Sequence, residues 1–138
     1  MDPIVRREII MKHYQEPINK GLIEDDRYIL NHESHESCVD HIDIMVRIEN
    51  DIIEDIRFDG EACAIVISST SILIETLLKK TTEEARVILT NYKKMINEEE
   101  YDQEIIKDLI VYNDINKQPN RKLCALLSTN AMIKILKK

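Results

Sequence analysis

The sequence predicts an α+β fold: an N-terminal helix, a small antiparallel sheet of about three strands, then a helical C-terminal half packed on it. Three observations carry this. Asp2-Pro3 opens a run of apolar residues at helical spacing. Residues His41 to Glu49 alternate strictly, with Ile42, Ile44, Val46 and Ile48 on one face. Residues 64 to 78 carry one charge, Glu75, and are apolar on every side, which describes a buried helix.

The elements follow in order. Asp2 serves as N-cap and Pro3 as the first helical residue, and Ile4, Ile10, Met11 and Tyr14 extend the helix to about Gln15, before Pro17 and Gly21. Residues 22 to 37 are mostly polar, with a short strand expected at Arg27 to Asn31. After the strand from His41, Asn50-Asp51 supplies a turn, although it lacks the glycine that a type I′ turn prefers. Ile52, Ile56 and Phe58 share one parity of a second strand, which Asp59-Gly60 is expected to end. Thr81 or Thr82 caps the next helix, with Glu83-Glu84 in its first turn and Ala85, Ile88, Tyr92 and Met95 on one face. Asn97 to Asp102 reads as an acidic, solvated linker. A short helix is expected over Glu104 to Val111, a loop over Asn113 to Pro119, and a last helix capped by Asn120 with Leu123, Leu127, Ala131 and Ile135 in one stripe.

The 138 residues are enough for one domain, spanning 1–138, and too few for two good cores. A net charge of -7 argues against binding nucleic acid by phosphate neutralisation and against a polybasic membrane patch. The N-terminus has no apolar core of a signal peptide, and the longest uncharged run, Ala62 to Ile74, is too short to span a bilayer. The chain therefore reads as cytoplasmic, with its cysteines reduced. No G-x-G-x-x-G or G-x-x-x-x-G-K run is present, which excludes dinucleotide-binding and P-loop readings.

The chemistry centres on Cys38, Cys63 and Cys124, all at expected element ends. Cys63 opens the buried helix and Cys124 falls in the expected first turn of the last one, where helix dipoles favour a thiolate. Side chains two apart on an extended segment share a side, so Asp40 can join Cys38 at one ion. Three thiolates and a carboxylate suit tetrahedral zinc or an iron–sulfur cluster. The same residues also read as three ordinary small thiols, and spacing alone does not decide. His32, His35 and His41 flank Cys38 and read either as alternative ligands or as loop and strand-surface residues. His13 falls at the end of the first helix, where a partly protonated imidazole suits the dipole.

In order along the chain stand His13-Tyr14-x-x-Pro17-x-Asn19-x-Gly21, Cys38-x-Asp40, Gly60-Glu61-x-Cys63 and Arg121-x-x-Cys124, followed by Leu127-Ser128. Together they resemble the iron–sulfur cluster assembly family that contains IscU, the NifU N-terminal domain and SufU, over nearly the whole chain. The branch is most similar to SufU. The segment between Cys63 and Cys124 is long, Leu123 stands where IscU-type chains place a histidine, and Arg121 matches the SufU pattern.

That resemblance implies metal ligands at Cys38, Asp40, Cys63 and Cys124, zinc as the ion, and sulfur accepted from a SufS-like cysteine desulfurase. The protein would then be a sulfurtransferase-type accessory rather than a stand-alone enzyme. Cys38, in the most polar of the three segments, is the expected acceptor, with Arg121 assisting. Downstream partners would be iron–sulfur or sulfur-accepting proteins. The alternatives are a scaffold for a transient [2Fe–2S] cluster on the same ligands, and a structural zinc-binding interaction domain. The family usually has Asn-Pro before the first cysteine and Gly between Cys and Asp, whereas this chain has Glu36-Ser37 and Val39. A left-handed conformation at Val39 would cost about 1–2 kcal/mol, so His35 or His41 stands as an alternative to Asp40. Arg6-Arg7 on the first helix read either as a desulfurase contact or as solvent-facing charges.

Overall fold

The structure, a computed structural model, describes residues 1–34 and 40–137. Helix α1 spans Pro3–Gln15, and the Asp2 side chain accepts the Ile4 N–H at 2.7 Å as its N-cap. Strands β1 (Tyr28–Ser34), β2 (His41–Glu49) and β3 (Ile52–Glu61) form an antiparallel sheet in the order β1-β2-β3. Then come α2 (Ala64–Leu77), α3 (Thr82–Ile96), α4 (Gln103–Ile106), two 3-10 segments (Lys107–Tyr112 and Ile115–Lys117) and α5 (Pro119–Leu136).

Both outer strands run further than their patterns indicate. The first half of β2 pairs Ile44 with Asn31 and His41 with Ser34, so β1 continues to Ser34 rather than ending at Asn31. On the other side Ile42 pairs with Gly60 and His41 with Glu61, so Gly60 lies inside β3 instead of ending it. In the hairpin between β2 and β3, Asn50 and Asp51 take φ of 52° and 67°. They adopt the double positive-φ geometry of a type I′ turn without a glycine, which Asn and Asp tolerate best among other residues.

The core lies between the sheet and the helices. Ile42, Ile44, Val46, Ile53, Ile56 and Phe58 are buried on the strands, and α2 is buried along most of its length, as an apolar helix with one charge requires. Helix α5 packs on α2, β1 and β2, α1 packs on α2, and α3 packs on α5. Helix α3 starts in a capping box: the Glu84 N–H donates to Thr81 Oγ1 and the Thr81 N–H to Glu84 Oε1. The last helix begins at Pro119 with Gln118 as N-cap, not at Asn120, because proline's fixed φ suits the first helical position. Leu123 leaves the expected stripe and is 44 % exposed, while Leu127, Ala131 and Ile135 are buried.

The segment after α1 is stitched to the free edge of β3. The Gly21 N–H donates to Phe58 O at 2.6 Å and the Phe58 N–H to Asn19 O at 3.2 Å. Asn19 Nδ2 also donates to Ile56 O at 3.0 Å. Arg6 Nη1 donates to Asp114 Oδ2 at 2.6 Å, so Arg6 ties α1 to the segment before α5 and is not simply solvent-facing.

His13 is not the exposed helix-end cation that its position suggests. It is 4 % exposed. Its Nδ1 lies 2.7 Å from Ser71 Oγ, and its Nε2 lies 3.3 Å from Glu75 Oε2. The Nε2 proton faces the carboxylate, so Ser71 donates to Nδ1 while accepting the Ile18 N–H at 2.8 Å. Burial lowers the His13 pKa, and Glu75 opposes that only in part. The unfolded state therefore binds a proton below about pH 6.5 that the folded state refuses, and stability is lost as pH falls through that region. Chemical denaturation of the native protein and of His13→Gln checks this. The stability gap between them should narrow from pH 7.5 to pH 5, and a gap independent of pH would remove the assignment.

Candidate metal centre

The start of β2, the start of α2 and the second turn of α5 meet at one end of the sheet. Because His41 pairs with Glu61, the residues just outside that pair, Asp40 and Cys63, are brought together. Cys63 is the N-cap residue of α2, with φ -70° and ψ 169°. Its N–H donates to Asp40 Oδ1 at 2.9 Å, so the carboxylate satisfies one of the open amides at the helix start. Helix α5 delivers Cys124, whose Sγ lies 3.5 Å from Asp40 Oδ2. One ligand atom from each of Asp40, Cys63 and Cys124 lies within 4.8 Å of the other two. Asp40, 6 % exposed, forms the floor of this triangle, Cys124 is half-buried, and Cys63 is exposed at the rim.

The electrostatics of Cys124 differ from the helix-dipole expectation. Its thiol is pushed up to about 12, chiefly by burial, then by Cys63 and then by Asp40. Since α5 starts at Pro119 with Gln118 as N-cap, Cys124 sits two residues further in than the sequence suggested, in the second turn, and the dipole's influence fades beyond the first turn. Two thiols and a buried carboxylate crowd one spot, and each charge raises the cost of the next. A cation relieves that repulsion, and the donor set suits zinc, which takes thiolate and carboxylate ligands together.

Cys38 and His35 lie outside the described residues. His41 is half-buried and stacks on His32, with ring centroids 5.9 Å apart; it is not one of the residues of the triangle. Arg121 is exposed in the first turn of α5 and is likewise not part of it. Two features escaped the sequence reading. The bond from the Cys63 N–H to Asp40 joins residues 23 apart and has no local signature. Tyr92 reads only as part of an apolar helix face and Tyr112 falls between two expected elements, yet both are buried near the cysteine-bearing helices, and a buried phenol always raises the question of its hydroxyl's partner. Beside Cys63 an open cleft of about 570 Å³ is lined by Tyr14, Pro17, Lys20, Gly60, Glu61 and Ile67, among others.

A small antiparallel sheet backed by helices, with an Asp-Cys-Cys triangle at its end, defines an α+β protein with a thiolate-rich candidate metal centre. The chain belongs to the NifU-like N terminal domain family, whose model matches residues 5–125. It is 33% identical to the zinc-dependent sulfurtransferase SufU of Bacillus subtilis, over 93% of this chain and 86% of that protein. It is 27% identical to the iron–sulfur cluster assembly scaffold protein IscU of Thermotoga maritima, over 83% of this chain and 80% of that one. A crystal structure of the SufU of the thermophile Fervidobacterium islandicum superposes with a TM-score of 0.89 at 29% identity, covering 94% of each chain. Among the described residues, no helix is long and apolar enough to cross a membrane.

Proposed function

We propose that this chain, acting as one unit over residues 1–138 in the cytoplasm, is a zinc-binding acceptor of persulfide sulfur from a SufS-like cysteine desulfurase, serving iron–sulfur cluster assembly. The observation that carries the reading is the convergence of Asp40, Cys63 and Cys124 on one point. The likeness to a zinc-dependent sulfurtransferase supports it. Cys38 is assigned as fourth ligand and as sulfur acceptor. The ion, when bound, supplies the positive charge that holds thiols as thiolates near neutral pH.

The residues of the chain divide the remaining work. Asp40, held by the Cys63 N–H, and the helix-borne Cys63 and Cys124 keep a fixed frame. The Cys38 thiolate attacks the outer sulfur of the desulfurase persulfide. A new S–S bond forms to Cys38, the old one breaks, and the desulfurase cysteine leaves as thiolate, so no external oxidant is needed. Arg121, exposed one turn before Cys124, offers its charge to the incoming anionic sulfur. The cleft beside Cys63 gives a partner segment room to approach. The chain is thus an accessory of the desulfurase, and iron–sulfur or other sulfur-accepting proteins take the sulfur onward.

The second reading, a [2Fe–2S] scaffold, draws on the same donor set and on the relatives named IscU. Metal content and visible absorbance, before and after incubation with desulfurase, cysteine and iron, separate the two. One zinc per chain, no colour and faster desulfurase turnover are expected; a brown protein with iron and acid-labile sulfide would replace this reading with the scaffold. In the same assay Cys38→Ser should accept no sulfur while keeping the native circular dichroism. Acceptance at the native rate would move the acceptor role to another thiol.

A further inference from the structure

Two buried tyrosines that the site does not use link the helices carrying its cysteines. Tyr112 ends the 3-10 segment Lys107–Tyr112 and is 2 % exposed. Its hydroxyl bonds Ser68 Oγ, which is fully buried on α2, five residues after Cys63. Ser68 Oγ also lies 3.4 Å from Ile65 O, so the hydroxyl pair is tied to the backbone of α2. Tyr92, on α3 and 1 % exposed, donates its hydroxyl to Ala125 O at 2.9 Å, the residue after Cys124. The two rings meet edge to face, with centroids 6.4 Å apart and planes at 79°.

The path Ser68–Tyr112–Tyr92–Ala125 therefore runs from one cysteine helix to the other through two directional hydrogen bonds and one aromatic contact. A buried phenol that loses its partner keeps the full desolvation penalty of its hydroxyl, so sliding α5 along α2 is resisted at both ends. Burial raises both phenols above their ordinary range, so both remain protonated and neutral at working pH.

We propose that Tyr92 and Tyr112 are positioning residues of the metal centre, tying α2 to α5 through Ser68 and the Ala125 carbonyl so that Cys63 and Cys124 are held at ligand spacing. The proposal rests on the reading that those two cysteines hold an ion, and the closing experiment tests both.

The full chain is titrated with Co²⁺ and Zn²⁺ against a chromophoric chelator, and the absorption of the cobalt form is recorded. Tyr92→Phe and Tyr112→Phe should each weaken metal binding about tenfold, the lower end of the loss seen when supporting partners of metal ligands are removed. Their cobalt spectra should shift as the ligand geometry loosens. Ser68→Ala cuts the same bond from its other end and stands in if a phenylalanine variant fails to fold. It should match Tyr112→Phe, and combining the two should add little. Ile56→Val, in the core of β3, trims packing without touching either tyrosine and should leave affinity and spectrum unchanged. Native affinity and spectrum in the tyrosine and serine variants would overturn the proposal, as would equal losses in Ile56→Val. If the native chain binds neither ion, or Cys63→Ser binds as tightly as the native chain, the metal-site reading fails first, and that result is distinct from the tyrosine result.

Discussion

Gly60→Ala should destabilise the protein by about 3 kcal/mol or more, and Gly21→Ala by much less. Both glycines have positive φ, 149° and 121°. An added Cβ at Gly21 meets nothing within 4 Å, so conformational strain of about 1–2 kcal/mol is its whole cost. At Gly60 the same atom would stand 2.2 Å from His41 O and 2.9 Å from the Ile42 Cα, both backbone atoms with no freedom to swing aside. The strands must separate where β2 begins, next to Asp40 on one side and Cys63 on the other. Urea denaturation measures the stability, and cobalt binding of whatever folded protein remains should fall with it. A Gly60→Ala protein as stable as Gly21→Ala would mean that the pairing of Ile42 with Gly60 is wrong.

Asp40→Ala and Asp40→Asn should both weaken zinc binding by about 100-fold or more, since losing a ligand costs at least as much as losing a ligand's supporting partner. They should part company in stability. Asparagine keeps an oxygen for the Cys63 N–H, whereas alanine leaves that amide open at the start of α2 and costs about a further 1 kcal/mol. In the chelated protein either change removes one of the charges that hold the Cys124 thiol at about 12. The thiol should fall but stay above its ordinary value, because burial is the larger cause. Alkylation of Cys124 between pH 8 and 10 should accordingly speed up in both variants, as more thiolate is present at each pH. Native zinc affinity in Asp40→Ala would hand the place of Asp40 to another group, with His41 the first to be replaced in turn.

Most of the fold was legible because its signals are local. The alternation of β2, the Asp2-Pro3 start, the Thr81 capping box and the all-round apolar α2 each express themselves within a few residues. The misplaced strand ends and the burial of His13 share one cause. The ends of β1 and β3 depend on partners in β2, and the burial of His13 depends on Ser71 and Glu75, far along the chain. Gly60 reads as a strand terminator by residue type, yet it serves a close approach of two backbones. In the candidate site the residue types and their order were readable through motif resemblance. The up-shifted Cys124 thiol was not, since it depends on burial and on neighbours that no local pattern reports.

By itself the sequence determined the order of helices and strands, the solubility-favouring negative charge, and which residues have the chemistry to bind a metal or carry sulfur. Only the tertiary structure decided that Asp40, Cys63 and Cys124 meet, that Cys63 leans on Asp40 for its amide, and that two tyrosines bridge the cysteine helices. Periodicity and capping are properties of neighbours. The contacts of the site join residues 23 and 84 positions apart, and those distances exist only once the sheet has paired and α5 has packed against it.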